Sequence, residues 1–448
     1  MKKTYYFKIF ALLCCFALLL SLSTQIPAYA EDSLPDTSGV RQAYLLNVEN
    51  DTVLFSKGAT DSSIAPASTV KIMSGLIAIK HLESRLEERI TINYDMLNGV
   101  EGFTVNFKIG DKIRIKDLLY GLICGGGNDA AMILANVCSG SVGAFVEEMN
   151  TEARSLGMTG TKYANPTGID VSGMVTTLED TVRISKKAIS TSLFVEISSV
   201  NEYSYTVEDT GEVRTIANRN PLISGFSAIG YKNKYAKGLN SGMTNSGGYC
   251  ISAYATNGDE SYLCVVMGGS ETPNGKITAY TVANGLLNFA FNNYTYAKIA
   301  SKGDAIGRIG VDLALPTSSS DTVTVRCVLE DDIYAYAPKN IDYKRDLTYK
   351  VYYHNEVLTA PVEKNTVVGG VEIFFKDKYI ASARLVAEDD VAESQLLVIL
   401  QQMKALILSR IAFTFIIISS ALILLYLYLT VWRKKAKKKR AILREIKK

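Results

Sequence analysis

A serine and a lysine three residues apart are the first side chains in this sequence whose spacing suggests chemistry. Ser68 and Lys71 stand in the stretch PASTVKIMSGLIAIKHLE, where apolar residues return at intervals of three and four. This pattern predicts a helix with Ser68 in its first turn. Side chains three positions apart on a helix share a face, so the lysine amine can reach the serine hydroxyl. If the site is partly desolvated, the pKa of Lys71 falls and its neutral amine can take the serine proton.

Other catalytic classes have little support in the sequence. The only two histidines, His81 and His354, fall in different predicted domains and in no recognisable motif, which disfavours a Ser-His-Asp mechanism. The sequence contains no H-E-x-x-H, no phosphate-binding loop and no dinucleotide fingerprint, so we expect neither a metal nor a cofactor. The alternative without chemistry is that Ser68 caps its helix and Lys71 is solvated.

Both ends of the 448-residue chain have the composition of targeting segments. Residues 1–30 predict a signal peptide, with three lysines, an apolar run and an A-x-A cleavage site. Residues 411–432 carry no charge and would form about 33 Å of helix, enough to cross a bilayer, although a buried core helix is the other interpretation. Residues 394–410 predict a juxtamembrane helix. The basic residues of 433–448 predict a cytoplasmic tail under the positive-inside rule.

The basic charge of the chain belongs to its ends. The C-terminal tail contributes +9 and the signal peptide +3 to a formal net charge of +3, which leaves residues 31–432 with −9. A mildly acidic ectodomain is unsuited to polyanions, so no nucleic acid is expected as a partner, and the tail is interpreted as a topology signal with affinity for anionic lipid. Five of the seven cysteines remain after the signal peptide, without metal-site spacing, and core thiols with at most one bridge are expected.

The sequence between the targeting segments predicts two domains. In residues 31–297 a β-hairpin over QAYLLNVENDTVLFSKGA precedes helices at IKDLLYGLI, DAAMILANVCSG and SVGAFVEEMNTEARSLG, then paired strands at GGYCISAYAT and SYLCVVMGG, and a last helix at ITAYTVANGLLNFAFNN. Residues 298–393 contain short runs rich in Val, Tyr and Thr, such as TVTVRCVL and LTYKVYYH, which predict a small antiparallel β domain.

Several stretches together resemble one family. These are PASTVKIMSG, IGDKIRIKDLLYGLICGGGNDAAMILA, FVEEMNTEARSLGMTGTKYANPTGID, NRNPLI and GLNSGMTNSGGYCISAYAT leading to VVMGG. In this order they resemble the low-molecular-mass penicillin-binding proteins, serine-type D-alanyl-D-alanine carboxypeptidases of peptidase family S11. The resemblance covers nearly the whole ectodomain, and the signal peptide, trailing β domain and C-terminal anchor fit the same architecture.

The resemblance implies a fold and a function. The fold is α+β, of the penicillin-binding and β-lactamase-like transpeptidase type, in which helices flank an antiparallel sheet and a small all-β domain and a transmembrane helix follow. The implied protein is a membrane-anchored carboxypeptidase that trims peptidoglycan stem peptides ending in D-Ala-D-Ala outside the cell, with β-lactam antibiotics as possible acylating ligands and its C-terminus in the cytoplasm.

The resemblance also implies three site motifs. Ser68 would be the nucleophile and Lys71 its base, Asn128 would contact the substrate amide, and the third motif, ordinarily Lys-Thr-Gly on a strand, would hold the terminal carboxylate. That third motif is here Asn240, Ser241 and Gly242.

The sequence departs from the family pattern at two positions. Gly126 stands where the second motif ordinarily has a serine, and Asn240 replaces the lysine of the third motif. Glycine has no hydroxyl to relay a proton, and asparagine brings no charge to a carboxylate. Lys237 is three residues from Asn240 and therefore falls on the opposite face of an extended strand, unless a β-bulge re-aims it. Cys124 is interpreted as a core thiol.

These departures leave two further functions open. One alternative is a catalytically impaired homologue that binds stem peptides or partners in cell-wall regulation. The other is a β-lactamase, which shares the nucleophile motif but is disfavoured by the membrane anchor and the trailing β domain.

Overall fold

The computed structural model describes residues 34–224, 230–316, 323–407 and 410–445, and the predicted signal peptide at 1–30 lies outside these ranges. The described residues form two compact units. One contains the residues up to Tyr296 together with Tyr336–Ile341, and the other contains Ala297–Ala335 and the residues from Asp342 onward.

The first unit mixes strands and helices along the chain. In chain order these are β1 (Gln42–Asn47), β2 (Val53–Lys57), α1 (Val70–Leu82), β3 (Arg89–Thr91), α2 (Tyr94–Leu97), β4 (Lys112–Arg114), α3 (Ile115–Ile123), α4 (Asn128–Ser139), α5 (Val142–Ser155), α6 (Leu178–Ile189), α7 (Ser192–Ser199), β5 (Glu202–Thr206), β6 (Val213–Ala217), β7 (Ala236–Thr244), β8 (Gly248–Thr256), β9 (Ser261–Gly269) and α8 (Thr278–Asn293). Short 3-10 helices span Ala67–Thr69 and Glu83–Arg85.

One five-stranded antiparallel sheet organises this unit, in the order β2-β1-β9-β8-β7. One face packs on α8 through residues such as Leu45, Val266 and Leu286. The other face, with Val265 and Met267, packs on helices including α1, α3, α4 and α5. The predicted helices flanking an antiparallel sheet are therefore confirmed, as is the hairpin of β1 and β2.

Helix α1 runs through the middle of the helical layer. All but two of its 13 residues are buried, as expected for a helix that is apolar around most of its circumference. The prediction that Ser68 lies in the first turn of this helix is wrong, because Ser68 lies in the 3-10 helix that precedes it. The reason is local: Ala67 has a φ of 49°, in the left-handed region that an α-helix does not admit.

The chain after residue 293 is dominated by β-structure. Its elements are β10 (Tyr294–Ala300), β11 (Ala305–Asp312), β12 (Val323–Leu329), β13 (Ile333–Pro338), α9 (Tyr343–Asp346), β14 (Leu347–Tyr353), β15 (Val357–Thr359), β16 (Val367–Phe375) and β17 (Lys378–Ala387). A six-stranded sheet has the order β14-β16-β17-β12-β11-β15. Strand β15 runs parallel to β11, so the prediction of a wholly antiparallel domain needs this correction.

The last two described elements are the helices α10 (Gln395–Ile407) and α11 (Arg410–Glu445). The predicted membrane span 411–432 lies within α11, and Phe413–Arg440 is long and apolar enough by composition to cross a membrane. The helix does not end at Trp432 but continues through the basic residues.

Candidate active site

The Ser68 hydroxyl and the Lys71 amine meet at the N-terminal end of α1. Lys71 Nζ lies 3.3 Å from Ser68 Oγ and donates a hydrogen bond of 2.5 Å to the Thr167 carbonyl. The Lys71 side chain is 2% exposed, whereas Ser68 is only partly buried. A buried amine is thus held next to a hydroxyl that a substrate can reach.

Burial changes the acidity of this lysine. Desolvation, aided by the positive charge of Arg219, lowers the pKa of Lys71 to about 7, although the Asp129 carboxylate acts in the opposite direction. A large fraction of the amine is therefore neutral at neutral pH. A neutral amine within hydrogen-bond reach of a hydroxyl can act as its general base.

The interpretation of Ser68 as a helix cap and Lys71 as a solvated residue is contradicted by this geometry. The N-cap of α1 is Thr69, and the N-cap of the 3-10 helix is Pro66. The left-handed backbone at Ala67 directly precedes the serine, and such strained conformations concentrate at functional sites.

The loop between α3 and α4 forms one wall of the site. Asn128 is buried, donates from Nδ2 to the Glu101 carbonyl at 2.7 Å, and leaves Oδ1 buried without a partner among the described residues. The next residue, Asp129, accepts from the backbone N–H groups of Val105 and Phe107 at 3.0–3.1 Å, which ties the segment from Val105 to Phe107 to the start of α4. This Oδ1 is an acceptor to which no described residue donates.

Gly126 has room for a larger side chain but an unusual backbone. A Cβ added there would meet only Arg219 Cβ and Cγ, at 3.6 Å, which is ordinary contact. Its φ of 66° lies in the left-handed region, so a side chain at this position would cost about 1–2 kcal/mol of backbone strain.

Strand β7 forms the opposite wall. It is an edge strand, and a Cβ added at Gly242 would lie 2.2 Å from Ser68 Oγ, so only glycine allows the strand to approach the serine. Ser241 Oγ donates to the Arg219 carbonyl at 3.1 Å. Asn240 is 5% exposed, and its Oδ1 is buried without a partner in the described part of the chain.

These walls enclose a cavity of about 340 Å³. The described residues that line it are Ser68, Lys71, Gly102, Phe103, Gly126, Asn128, Thr167, Gly168, Ile169, Arg219, Ser241, Gly242, Met243, Thr244, Tyr249 and Tyr280. Six of the seven residues singled out from the sequence therefore lie together, and Asn240 is outside the lining. Among these lining residues two are basic and none is acidic, which favours an anionic ligand group.

Arg219 was not singled out from the sequence, although it stands in the quoted stretch NRNPLI. Its guanidinium carbon lies 4.0 Å from the centroid of the Phe103 ring, a cation–π contact. Its backbone N–H donates to the Cys124 carbonyl at 3.0 Å, and its carbonyl accepts from Ser241. Arg219 thus joins the end of α3 to β7 and places a positive charge at the cavity.

Lys237 and Cys124 agree with the sequence analysis, which predicted that Lys237 faces away from the site and that Cys124 is a core thiol. Lys237 is exposed and is not among the cavity residues, even though the pairing of β7 with β8 is irregular between Ala236 and Gly238. Cys124 is a buried free thiol, as are three of the other four cysteines after the signal peptide, with Cys138 partly buried. Burial raises the pKa of the Cys124 thiol to about 12, so it is not a nucleophile at neutral pH.

Comparison with known families gives two matches along the chain. A model described as D-alanyl-D-alanine carboxypeptidase matches residues 32–271, and one described as penicillin-binding protein 5, C-terminal domain, matches residues 294–393. The second match coincides with the β-rich region.

Individual relatives support the same assignment. The chain is 23% identical to the D-alanyl-D-alanine carboxypeptidase DacF of Bacillus subtilis over 81% of its own length and 88% of that protein. It is 29% identical to a D-alanyl-D-alanine carboxypeptidase of Streptomyces sp. strain K15, over 54% of this chain and 84% of that one. The crystal structure of penicillin-binding protein 5 from Haemophilus influenzae has the same fold, with a TM-score of 0.55 at 24% identity, covering 81% of this chain and all of that one.

Proposed function

Since the chain belongs to the D-alanyl-D-alanine carboxypeptidase family, we propose that it is a serine-type carboxypeptidase that cleaves the terminal D-alanine from peptidoglycan stem peptides, with reduced activity. The observation that carries this proposal is the buried Lys71 amine 3.3 Å from the Ser68 hydroxyl, at the edge of a cavity whose described lining is basic.

The proposed reaction proceeds through an acyl-enzyme. Ser68 Oγ attacks the carbonyl carbon between the two D-alanines while Lys71 Nζ takes the hydroxyl proton. The C–N bond then breaks, the leaving D-alanine takes a proton, and water hydrolyses the ester at Ser68. Asn128 Oδ1 would accept from a substrate amide, and edge strand β7 would pair with the peptide backbone.

The terminal carboxylate of the substrate would bind at the end of the cleft formed by Ser241 and Arg219. In the family pattern a lysine at position 240 supplies a charge here, whereas Asn240 is neutral and short. Arg219 is then the remaining cation for this carboxylate, because Lys71 must be neutral to act as a base. A hydrogen bond to a charged group contributes about 1.5–3 kcal/mol, against about 1 kcal/mol for a neutral one, so the loss of a lysine reduces binding and rate.

Two substitutions test the proposed roles of Asn240 and Arg219 in binding the substrate carboxylate. Asn240→Lys should raise kcat/KM for D-alanine release by about two- to thirtyfold, because it adds a charged donor on the face of β7 that meets Ser68. Arg219→Gln should lower kcat/KM by about three- to tenfold, since the exposed guanidinium is partly screened. Both are measured with a peptide ending in D-Ala-D-Ala.

The matched controls make the same charge changes away from the cavity. Asn201→Lys and Arg183→Gln, both at exposed positions, should leave kcat/KM within a factor of two. No gain in Asn240→Lys, alone or with Gly126→Ser, would mean that the site has diverged beyond these two positions. Gly126→Ser is expected to lower stability as well, because of its left-handed backbone.

A catalytically impaired homologue that binds stem peptides is the second candidate, favoured by Gly126 and Asn240. Incubating the detergent-solubilised protein with a fluorescent penicillin and with a D-Ala-D-Ala pentapeptide separates the two. Label together with released D-alanine supports the carboxypeptidase. Label without release indicates the impaired homologue. The absence of both label and released D-alanine would overturn catalysis at Ser68.

We also propose that α11 anchors the protein in the cytoplasmic membrane with the ectodomain outside. Its basic C-terminal end supports this orientation under the positive-inside rule. The protein should sediment with membranes after a wash in 1 M salt, and protease added to intact spheroplasts should degrade the ectodomain but spare a C-terminal epitope tag. Removal of residues 411–448 should release the protein, and a tag that is degraded from outside would reverse the orientation.

A further inference from the structure

A second cavity of about 210 Å³ adjoins the catalytic one. Gly168 lines both cavities, and it packs so closely on the nucleophile segment that a Cβ there would lie 2.0 Å from the Ala67 carbonyl oxygen. Asp170 and Ser246 also line the second cavity. The two cavities therefore adjoin at Gly168.

The Asp170 carboxylate is fixed in this second cavity. Oδ2 accepts from the Ser246 backbone N–H at 2.8 Å. Partial burial raises the pKa of Asp170, but hydrogen bonds from Ser246 and Thr244 outweigh it and hold the pKa below its ordinary value. No described residue that lines this cavity is a lysine, arginine or histidine. The nearby Arg41 donates to the Ser246 carbonyl at 3.1 Å and lines neither cavity.

Strand β7 and the residues that follow it contact both Arg219 and Asp170. At one end Ser241 is hydrogen-bonded to Arg219, whose cation faces the catalytic cavity. Thr244, three residues further along β7, also lines that cavity, and Ser246 follows it. At about 3.3 Å per residue, Thr244 lies about 10 Å from Ser241. Along β7 and the turn that follows it, the contacts therefore run from Arg219 at Ser241 to Asp170 at Ser246.

This polarity fixes the direction of a bound stem peptide, given the proposed function on which the inference rests. The terminal carboxylate lies at the Arg219 end, and the carbonyl under attack lies at Ser68. The residue that precedes the two D-alanines then extends past Thr244 toward Asp170. A side-chain amine on this residue would then meet the Asp170 carboxylate, in a cavity whose described lining offers no cation of its own.

We propose that Asp170 and the cavity around it form a subsite for the side-chain ammonium of the residue that precedes D-Ala-D-Ala. The ammonium enters beside Gly168 and pairs with the carboxylate, whose second oxygen is not used by the Ser246 N–H. The pair is partly exposed, so its contribution is modest and falls as salt is added.

Two peptides test the subsite on the full-length protein in detergent. They are Nα-acetyl-L-Lys-D-Ala-D-Ala and its Nα,Nε-diacetyl form, which differ only in the side-chain charge. The free amine should raise kcat/KM for D-alanine release about two- to fivefold at low salt, and 0.5 M NaCl should reduce this ratio. Asp170→Asn keeps the size and the acceptor for Ser246 but should bring the ratio to about one.

The matched control is Asp259→Asn, which makes the same charge change in the exposed β8–β9 turn and should keep the wild-type ratio. A wild-type ratio of one, or an unchanged ratio in Asp170→Asn, would overturn the subsite while leaving the carboxypeptidase intact. If neither peptide is hydrolysed, the proposed function fails, and the same peptides are compared as competitors of fluorescent penicillin labelling. Equal competition, or no labelling to compete with, would then overturn the subsite as well.

Discussion

Replacing Ser68 by alanine is expected to abolish both the covalent penicillin label and the release of D-alanine. The proposed ester forms at Ser68 Oγ, and removing a catalytic nucleophile typically lowers kcat by more than about 1,000-fold. The label is measured by gel fluorescence and mass spectrometry of the modified peptide, and D-alanine by a coupled oxidase assay. Ser68 Oγ contacts Lys71 and adjoins Gly242, so the thermal midpoint should move by no more than a few degrees.

The matched control for this variant is Ser155→Ala, at the exposed end of α5, where the hydroxyl only donates to the Glu152 carbonyl. It should retain label and turnover. A label that survives in Ser68→Ala would place the nucleophile elsewhere. If that variant loses the native thermal transition, Ser68→Gly, which also lacks a nucleophile, replaces it.

The second large effect concerns the protonation of Lys71. The amine acts as a base only when it is neutral, and its pKa is lowered to about 7 by burial first and by Arg219 second. The acylation rate should therefore rise about tenfold per pH unit below pH 7 and level off above it. Lys71→Met should lower the rate by about 100- to 10,000-fold, and Lys71→Arg should fail too, because a guanidinium keeps its proton.

The pH profile distinguishes a base from a residue that only supports the fold. Arg219→Gln should move the acid limb to higher pH, because the charge that disfavours protonation of Lys71 is gone. Lys80→Met, on the exposed side of the same helix where Lys80 pairs with Glu152 at 3.0 Å, should leave the profile in place. A rate of acylation that is constant from pH 5.5 to 9 would contradict the assignment of Lys71 as the base.

In the proposed enzyme, Ser68 and Lys71 act as nucleophile and base, and Asn240 weakens the binding of the substrate carboxylate. Burial of Lys71 lowers the pKa of its amine, and the glycine at position 242 lets strand β7 lie against Ser68. Gly126 and Asn240 remove a hydroxyl and a charge. The proposed enzyme therefore acylates through the usual pair, and its turnover is limited by how the substrate is held.

Local sequence patterns were sufficient for most of the elements. The alternation in β1 and β2 and the periodicity of α3, α4 and α8 arise from contacts between near neighbours in sequence, and each element is found where it was predicted. The order of the motifs was also enough to bring Ser68, Lys71 and Asn128 together, because a family resemblance carries information about a shared fold.

Tertiary structure decided the features that depend on contacts between distant residues. Periodicity could not show that the 3-10 turn holds Ser68, since the left-handed Ala67 is packed beneath Gly168 from another part of the chain. It also could not show that Arg219 faces the cavity or that Asp170 is held by Ser246, residues 76 positions apart. A side chain's neighbours across the fold are set by how the elements pack, and that arrangement has no period in the sequence.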